Sequence, residues 1–233
     1  MAILILKIYL APENKSKRKL MDWIISNSKV EYQQALNLME TRVANIIKKK
    51  QSEAIWLLEH DDVYTAGTSA NMSDLKDSKK FPVLYSNRGG KFTYHGPGQR
   101  VIYLMIKLER FNFDIRRYIS FLEQLTINTL DDFNISSHRS EKGIGVWTFE
   151  KERFGSSETL HEFKIASIGV RVRQKVAFHG IAVNISPNLK NFDGIISCGL
   201  RDIKMTSIAN QGKYVTSADF DNSLKENFNL LIG

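Results

Sequence analysis

The spacing of apolar residues along the chain predicts three helices. Behind Ser28 and Glu31, which match a helix-capping sequence, apolar residues recur at helical spacing until the basic residues 48–50, which suit a helix end. A second helix with one apolar face is predicted at residues 114–133, and a third after Ser217. The apolar face of the first helix comprises Tyr32, Ala35, Leu36, Met39, Val43, Ile46 and Ile47.

Apolar runs between these helices predict strands. Continuous runs at residues 54–58 and 101–108 are typical of buried strands. Further strand-like segments follow at 144–149, 162–170, 172–178 and 181–185, and the polar stretch 150–161 predicts a hairpin tip. Because strands and long helices do not alternate regularly, we expect an α+β fold with a mixed β-sheet flanked by helices, not a βαβ array.

Composition bounds the domain organisation and the compartment. A chain of 233 residues with 42% hydrophobic residues can form one domain, which we place at residues 21–233 behind an extension, residues 1–20, to which we assign no role. The apolar residues 1–10 precede basic ones, the reverse of a secretory signal, and are too few to span a bilayer. A single cysteine excludes an intramolecular disulfide. We therefore expect a cytoplasmic protein without membrane association.

The net charge of +8 is compatible with a mildly basic soluble protein or with an acidic partner. No zinc-ligand spacing, aromatic RNA-binding signature or heptad repeat is present, so nucleic acid is not expected as the partner. An acidic carrier protein suits the charge equally well. No group of His, Cys, Asp or Glu has metal-ligand spacing, and we predict neither a metal nor a cofactor.

The single cysteine, Cys198, is the first candidate for chemistry. Free cysteine is often a buried structural residue. Here it follows the apolar pair Ile195 and Ile196 and lies between Ser197 and Gly199, a pattern that predicts a strand end turning into a loop. Such a position exposes a side chain to substrate, which favours a nucleophile.

Lys164 is the second candidate. A strand lysine is usually exposed, but this one lies inside the apolar run of Phe163, Ile165 and Ala166, so it must face a cavity, a partner or water. An ammonium beside Cys198 would favour the thiolate, and a neutral amine would serve as a general base.

A glycine-rich segment, residues 88–99, is the third candidate. Four glycines and Pro97 within twelve residues suit close backbone approach to a carbonyl, an oxyanion or an acyl chain. The segment lacks the Gly-Lys-Ser/Thr of a Walker loop and does not match Gly-x-Gly-x-x-Gly, so it is not a phosphate-binding loop of either kind. Its glycines make His95 a better site candidate than His179, which the sequence favours as a core histidine.

At these residues the chain resembles the lipoyl-pathway octanoyltransferases, also called lipoate–protein ligase B enzymes. The resemblance covers about residues 21–231. It is strongest in five blocks that stand in family order: 57–67, 88–99, 164–173, 179–184 and 197–207.

The resemblance implies transfer of an octanoyl group from acyl carrier protein to a lysine of lipoyl domains, in 2-oxoacid dehydrogenases or the glycine-cleavage H protein. It implies that Cys198 carries the acyl thioester and that Lys164 lowers the pKa of that thiol. The implied fold is that of the biotin and lipoate ligase catalytic domain. The implied substrate-binding residues are Arg88, Gly89, Gly90, Lys91, Phe92, Thr93, Tyr94, His95, Ser167, Ile168, Gly169, Gly180, Ile181 and Ala182.

The chain departs from the family pattern at several positions. Lys91 stands where Gln is usual, Ser197 where Pro is usual and Asn87 where Asp is frequent, and the stretch 150–161 is longer. These departures concern fine substrate contacts and not the reaction.

Three other functions remain as alternatives. An ATP-dependent lipoate or biotin ligase would need no cysteine, and a non-catalytic acyl- or lipoyl-binding module would form no acyl-enzyme. A cysteine hydrolase would need a histidine base near the thiol, which the sequence does not place.

Overall fold

The computed structural model describes residues 7–9, 21–154, 157–199 and 203–232, without the side chains of residues 7–9, 152–154, 157–158 and 198. The helices are α1 (Tyr32–Ile47), α2 (Ile115–Asp131) and α3 (Ser217–Ile232). In chain order the strands are β1 (Lys7–Tyr9), β2 (Asp22–Ile25), β3 (Ala54–Leu58), β4 (Val63–Ala66), β5 (Val83–Tyr85), β6 (Phe92–His95), β7 (Gln99–Lys107), β8 (His138–Ser140), β9 (Gly143–Phe154), β10 (Ser157–Arg173), β11 (Val176–Asn184) and β12 (Lys204–Met205).

The described strands form two mixed sheets. The larger runs in the order β1-β2-β3-β7-β11-β10-β9-β8, and β12 pairs with β10. The β2–β3 and β10–β12 pairs are parallel, and the other pairs of this sheet are antiparallel. The smaller sheet has the order β5-β4-β6. The α+β prediction with a mixed sheet is therefore confirmed.

The large sheet is buried on both faces, since every residue of β3 and all but the last residue of β7 are buried. Ile55 and Leu57 of β3 pack with α2 and α3 on one face. Trp56 and Leu58 pack with α1 on the other. A third cluster lies on the smaller sheet, where Tyr94 contacts Phe192 with ring centroids 5.0 Å apart.

The helices lie where the periodicity predicts them, but the predicted capping sequence of α1 is wrong. Glu31 itself is the cap, since its carboxylate accepts the amides of Gln33 and Gln34 at 2.8 and 2.7 Å. Ser28 cannot begin the helix, because the Val30 amide donates to the Glu59 carbonyl at 2.8 Å and holds this stretch against the end of β3.

The strands after α2 are longer than predicted. β9 and β10 continue through most of the polar stretch 150–161, and the turn predicted there lies outside the described residues at 155–156. The strands predicted at 162–170 and 172–178 place a turn at residue 171. The chain turns instead three residues later, at Gln174 and Lys175, which have positive φ angles. The break predicted before residue 181 is absent, since β11 pairs with β7 on both sides of it.

The extension predicted at residues 1–20 lies mostly outside the described residues. Within residues 7–9, β1 adds an antiparallel strand beside β2. Among the described residues, no helix combines the length and the apolar character needed to cross a membrane.

Candidate functional site

A cavity of about 620 Å³ opens where the glycine-rich segment meets β10 and β11. This volume is in the ordinary range for small-molecule sites. Lys164 and thirteen of the fourteen residues expected to bind substrate line it: Arg88, Gly89, Gly90, Lys91, Phe92, Thr93, His95, Ser167, Ile168, Gly169, Gly180, Ile181 and Ala182. The exception is Tyr94, whose hydroxyl donates to Asp62 at 2.6 Å within the third core cluster.

The Arg88 side chain shapes the glycine-rich segment from inside. Its guanidinium is buried and donates to the Thr65 carbonyl at 2.9 Å, the Thr65 hydroxyl at 2.8 Å and the Lys91 carbonyl at 3.0 Å. A second nitrogen donates to the Gly89 carbonyl at 3.1 Å. Arg88 thus connects the segment to β4 and fixes the turn of residues 88–91, in which the carbonyls of Gly89 and Lys91 point at its guanidinium. Arg88 therefore both lines the cavity and holds its wall in place through hydrogen bonds.

Close backbone packing completes this wall. The amides of Gly67, Thr68 and Ser69 donate to the carbonyls of residues 91, 88 and 90. A Cβ atom at Gly67 would collide with the Gly90 carbonyl, so glycine is required at this approach. The Gly89 amide donates to the Val170 carbonyl at 2.9 Å. The Gly89 amide is therefore not free to bind an oxyanion, because it fixes the segment to β10.

Lys164 lies on β10 and is only 2% exposed, so the usual exposed strand lysine is excluded. Its amine donates to the Ile144 carbonyl at 2.7 Å and lies 5.1 Å from the centre of the Trp147 ring. A carbonyl oxygen and an aromatic face both stabilise a cation. The strand places a charge-bearing side chain in the wall of the cavity, as its apolar surroundings in the sequence predict.

Cys198 lies in a single 3-10 turn, Ser197–Gly199, that packs against β6. The expected strand end is wrong, because Ile195 forms only an isolated bridge with Leu75 after another 3-10 segment. The side chain of Cys198 lies outside the described part of the structure. A Cβ atom at Gly199 would collide with the Lys91 side chain, so a residue of the cavity wall touches the turn that carries the cysteine.

Three buried histidines lie behind or beside the cavity, and hydrogen bonds assign their tautomers. His60 donates from Nδ1 to the Val30 carbonyl at 2.6 Å and accepts the Tyr103 hydroxyl at Nε2, 2.7 Å away. His95 donates from Nδ1 to the Gln99 amide oxygen at 2.7 Å, because the Gln99 nitrogen donates elsewhere. The His60 ring therefore needs to be neutral to keep both of its roles.

His179 is more than the core histidine that the sequence favours. It lines the cavity, has a φ of 61° within β11, and donates from Nε2 to the Asn87 oxygen at 3.0 Å. That orientation of Asn87 is set by Glu40, which accepts the Asn87 nitrogen at 2.7 Å. The Nδ1 atom of His179 is buried and has no hydrogen-bond partner among the described residues.

Burial keeps these histidines neutral. Desolvation lowers the pKa of His60 to about 4, and desolvation with the nearby charges of Arg88 and Arg171 lowers the pKa of His179 to about 3. Desolvation, followed by His60 and Arg88, lowers the pKa of His95 well below its usual range. None of the three can supply a proton as an imidazolium at neutral pH.

The fold is expected to lose stability when the pH falls from about 7 to 5. In this window the unfolded histidines, with pKa near 6.5, take up protons that the folded ones do not, so the free energy of unfolding decreases with each added proton. The expected loss at pH 5 is about 2 kcal/mol per histidine. Urea unfolding at the two pH values measures it.

Most carboxylates titrate below this window: unfolded ones do so near pH 4, and the hydrogen bond from His138 holds the pKa of the folded Glu162 at about 2. Asp221, whose pKa is raised by burial, is an exception. A free energy of unfolding that stays constant from pH 7 to pH 5 would contradict the neutral, buried state of the three rings.

Beside the polar residues Ser69 and Lys142, the cavity is also lined by apolar side chains that the sequence did not single out. They come from distant elements, which explains why no local motif marks them: Tyr32, Val101, Tyr103, Ile115, Ile119 and Ile144. Ile115 and Ile119 stand one helical turn apart at the start of α2, a spacing that could have identified them as a pair. The cavity therefore offers an apolar surface beside its lysine, which suits an aliphatic chain.

A second cavity, of about 700 Å³, lies between β2 and the start of α3 and contains none of the predicted residues. Its base is the buried pair of Arg100 and Asp221, joined at 2.8 and 2.5 Å, which neutralise each other. Among the described residues, no group of three or more His, Cys, Asp or Glu side chains is arranged to hold a metal ion. The first cavity is therefore the candidate site.

Sequence comparison finds close relatives of the whole domain. Residues 31–229 match the family model of the lipoyl protein ligase A/B catalytic domain. An octanoyltransferase of Dinoroseobacter shibae is 46% identical over 215 residues, which cover 91% of this chain and 97% of the relative. An octanoyltransferase of Bartonella bacilliformis is 47% identical over 214 residues, which cover 91% of this chain and 89% of the relative.

Solved structures share the fold at low sequence identity. A lipoate-protein ligase A bound with ATP has a TM-score of 0.60 at 14% identity, over 82% of this chain and 81% of that one. The bipartite lipoate protein ligase of an archaeal lipoylation system, from Thermoplasma acidophilum, has a TM-score of 0.59 at 15% identity, over 83% and 79%. The ligase-like fold implied by the sequence resemblance is confirmed.

Proposed function

Because this chain belongs to the octanoyltransferase family, within the lipoyl protein ligase A/B catalytic domains, we propose that it transfers an octanoyl group to lipoyl domains. The donor is octanoyl-acyl carrier protein. The acceptors are lysine side chains of the lipoyl domains of 2-oxoacid dehydrogenases and of the glycine-cleavage H protein. The cytoplasm is the compartment in which these partners meet.

The observation that carries the proposal is the position of Lys164. A buried amine lies in the wall of a cavity, and Lys91 of that wall touches the turn of Cys198. A cation near a thiol favours the thiolate, which is the nucleophilic form. The apolar remainder of the wall, including Ile115 and Ile119, accommodates the octanoyl chain.

The reaction proceeds in two steps, acylation of Cys198 and transfer of the acyl group to the acceptor lysine. The Cys198 thiolate attacks the carrier thioester, and the departing carrier thiolate takes a proton from the Lys164 ammonium. The neutral Lys164 amine then accepts a proton from the acceptor lysine as that amine attacks the acyl-enzyme. Cys198 leaves as a thiolate, and the ion pair with Lys164 is restored for the next cycle.

Oxyanion stabilisation in this scheme falls to donors other than the Gly89 amide, which is already bonded to Val170. Of the residues that the resemblance implies bind substrate, Gly90 and residues 167–169 line the cavity. Backbone amides aimed at a developing oxyanion typically contribute several kcal/mol to the transition state. These segments are our proposal for that role.

The shared fold leaves a ligase that activates lipoate with ATP as the second candidate, since one neighbour of that fold binds ATP. The two functions differ in their use of the cysteine. A ligase activates a carboxylate and forms no thioester on the protein, whereas the transferase requires one.

Intact-protein mass after mixing with octanoyl carrier protein tests the proposal. We expect the parent protein to gain one octanoyl group and to lose it when a lipoyl domain is added. Cys198→Ala should gain none and should show no transfer. Full transfer by Cys198→Ala, with ATP consumed, would establish the ligase. If the parent protein bound the carrier but showed neither an adduct nor transfer, it would be a non-catalytic module.

A further inference from the structure

The buried carboxylate of Glu123, on α2, lies outside the reaction scheme above. It is 7% exposed, although acidic residues are seldom buried without partners. One oxygen accepts the Gly145 backbone amide at 3.2 Å, and the other accepts the Arg139 guanidinium at 3.1 Å. Glu123 therefore connects an arginine at the surface to the first residues of β9.

The segment that Glu123 holds is the one that contacts Lys164. Ile144, the neighbour of Gly145, provides the carbonyl that accepts the Lys164 amine at 2.7 Å. Gly145 has a φ of +134°, and a Cβ atom there would lie 2.5 Å from the Lys164 side chain and 2.6 Å from the Ala166 carbonyl. The backbone at Gly145 thus passes directly over the lysine stem, and its position determines where the amine lies.

A second contact of the amine also comes from this strand. The Trp147 ring lies 5.1 Å from the Lys164 nitrogen, and the Trp147 indole donates to the Gly143 carbonyl at 3.0 Å. The carbonyl and the ring that contact the amine therefore move together with the start of β9. Glu123 is the side chain from α2 that bonds to this start.

We propose that Glu123 is a positioning residue for Lys164: through the Gly145 amide it sets the Ile144 carbonyl that holds the Lys164 amine in the cavity. The inference rests on the proposed function, in which that amine acts on Cys198. Without the carboxylate, the Gly145 amide is buried without an acceptor, and the segment rearranges to satisfy it. The amine then shifts away from its productive position.

The single cysteine provides a readout that does not depend on octanoyl transfer. The rate of alkylation by iodoacetamide follows the thiolate fraction, so its pH profile reports the apparent pKa of the thiol. In Glu123→Ala we expect this pKa to rise by about one unit, with alkylation at pH 7 slowed about tenfold. Glu123→Gln, which keeps an oxygen acceptor for Gly145, should retain most of the parental profile.

Glu53 supplies a matched control, because it has the same pattern of contacts away from the cavity. It is 5% exposed and accepts the Lys107 amide at 2.6 Å and the Arg110 guanidinium at 2.8 Å. Glu53→Ala should lower the free energy of unfolding to a similar extent as Glu123→Ala. It should leave the alkylation profile of the thiol unchanged.

The proposal is overturned if Glu123→Ala alkylates with the parental pH profile, or if Glu53→Ala shifts the profile equally. Failure of the proposed function is a separate result, namely transfer that survives in Cys198→Ala. A parental protein that forms the acyl-enzyme, together with an unshifted profile in Glu123→Ala, would remove only the positioning role.

Discussion

Replacement of Lys164 by Met is expected to slow octanoyl transfer by about 10²–10⁴-fold, the usual contribution of a general acid or base. Met preserves the unbranched shape of a side chain that is 2% exposed, so the cavity wall should remain packed. What it removes is the charge that favours the thiolate and the amine that carries protons. Single-turnover rates of acyl-enzyme formation and discharge measure both losses.

Lys164→Arg separates these two roles. Arginine keeps the positive charge but cannot act as a base at neutral pH. We expect the thiol of this variant to alkylate nearly as readily as in the parent. The acyl-enzyme should accumulate, because the carrier thiolate can leave without being protonated, whereas the acceptor amine must lose a proton during discharge. If Lys164→Met transferred at the parental rate, Lys164 would have no part in the chemistry and only the cysteine assignment would stand.

The helices and the central strands could be predicted from the sequence because their apolar faces are regular. The limits of α1 and α2 follow the 3.6-residue period to within two residues. The cap of α1 could not be predicted in the same way. A bond between the Val30 amide and the Glu59 carbonyl decides it, and that contact joins parts of the chain that no local pattern connects.

The glycine-rich segment and Lys164 could be recognised because each conflicts with its local surroundings: glycines where packing would need side chains, and a cation within an apolar run. Tyr94 shows the limit of such reasoning. It shares the strand of Thr93 and His95, but successive residues of a strand point to opposite faces, and Tyr94 packs on Phe192 instead of the cavity.

The sequence does not predict that Glu123 and His179 lie at the site, for a different reason. Each resembles an ordinary residue of its element, a helix carboxylate or a core histidine, until the chain brings its partners together. The partners of Glu123 are 16 and 22 residues away, and Asn87 is 92 residues from His179. Long-range hydrogen bonds of buried polar groups carry no periodic signal in a single sequence.

Arg88→Lys is expected to lower the free energy of unfolding by about 3 kcal/mol and to weaken use of the octanoyl carrier at least tenfold. The Arg88 guanidinium makes four hydrogen bonds in a planar fork, to Thr65, Gly89 and Lys91. A lysine ammonium cannot reach all of these oxygens from one point, so some buried carbonyls lose their donor. Denaturant unfolding and kcat/KM for the carrier measure the two effects.

The buried Arg100 distinguishes loss of stability from loss of the cavity wall. It is 3% exposed and pairs with Asp221 at the second cavity, so Arg100→Lys should destabilise the fold while leaving kcat/KM for the carrier close to the parental value. In Arg88→Lys both quantities should fall, because the same guanidinium that stabilises β4 also curls residues 88–91 around the cavity. If an Arg88 variant were less stable yet used the carrier normally, residues 88–91 would keep their shape without the hydrogen bonds of the guanidinium. The cavity wall would then depend on the backbone hydrogen bonds of this segment to residues 67–69.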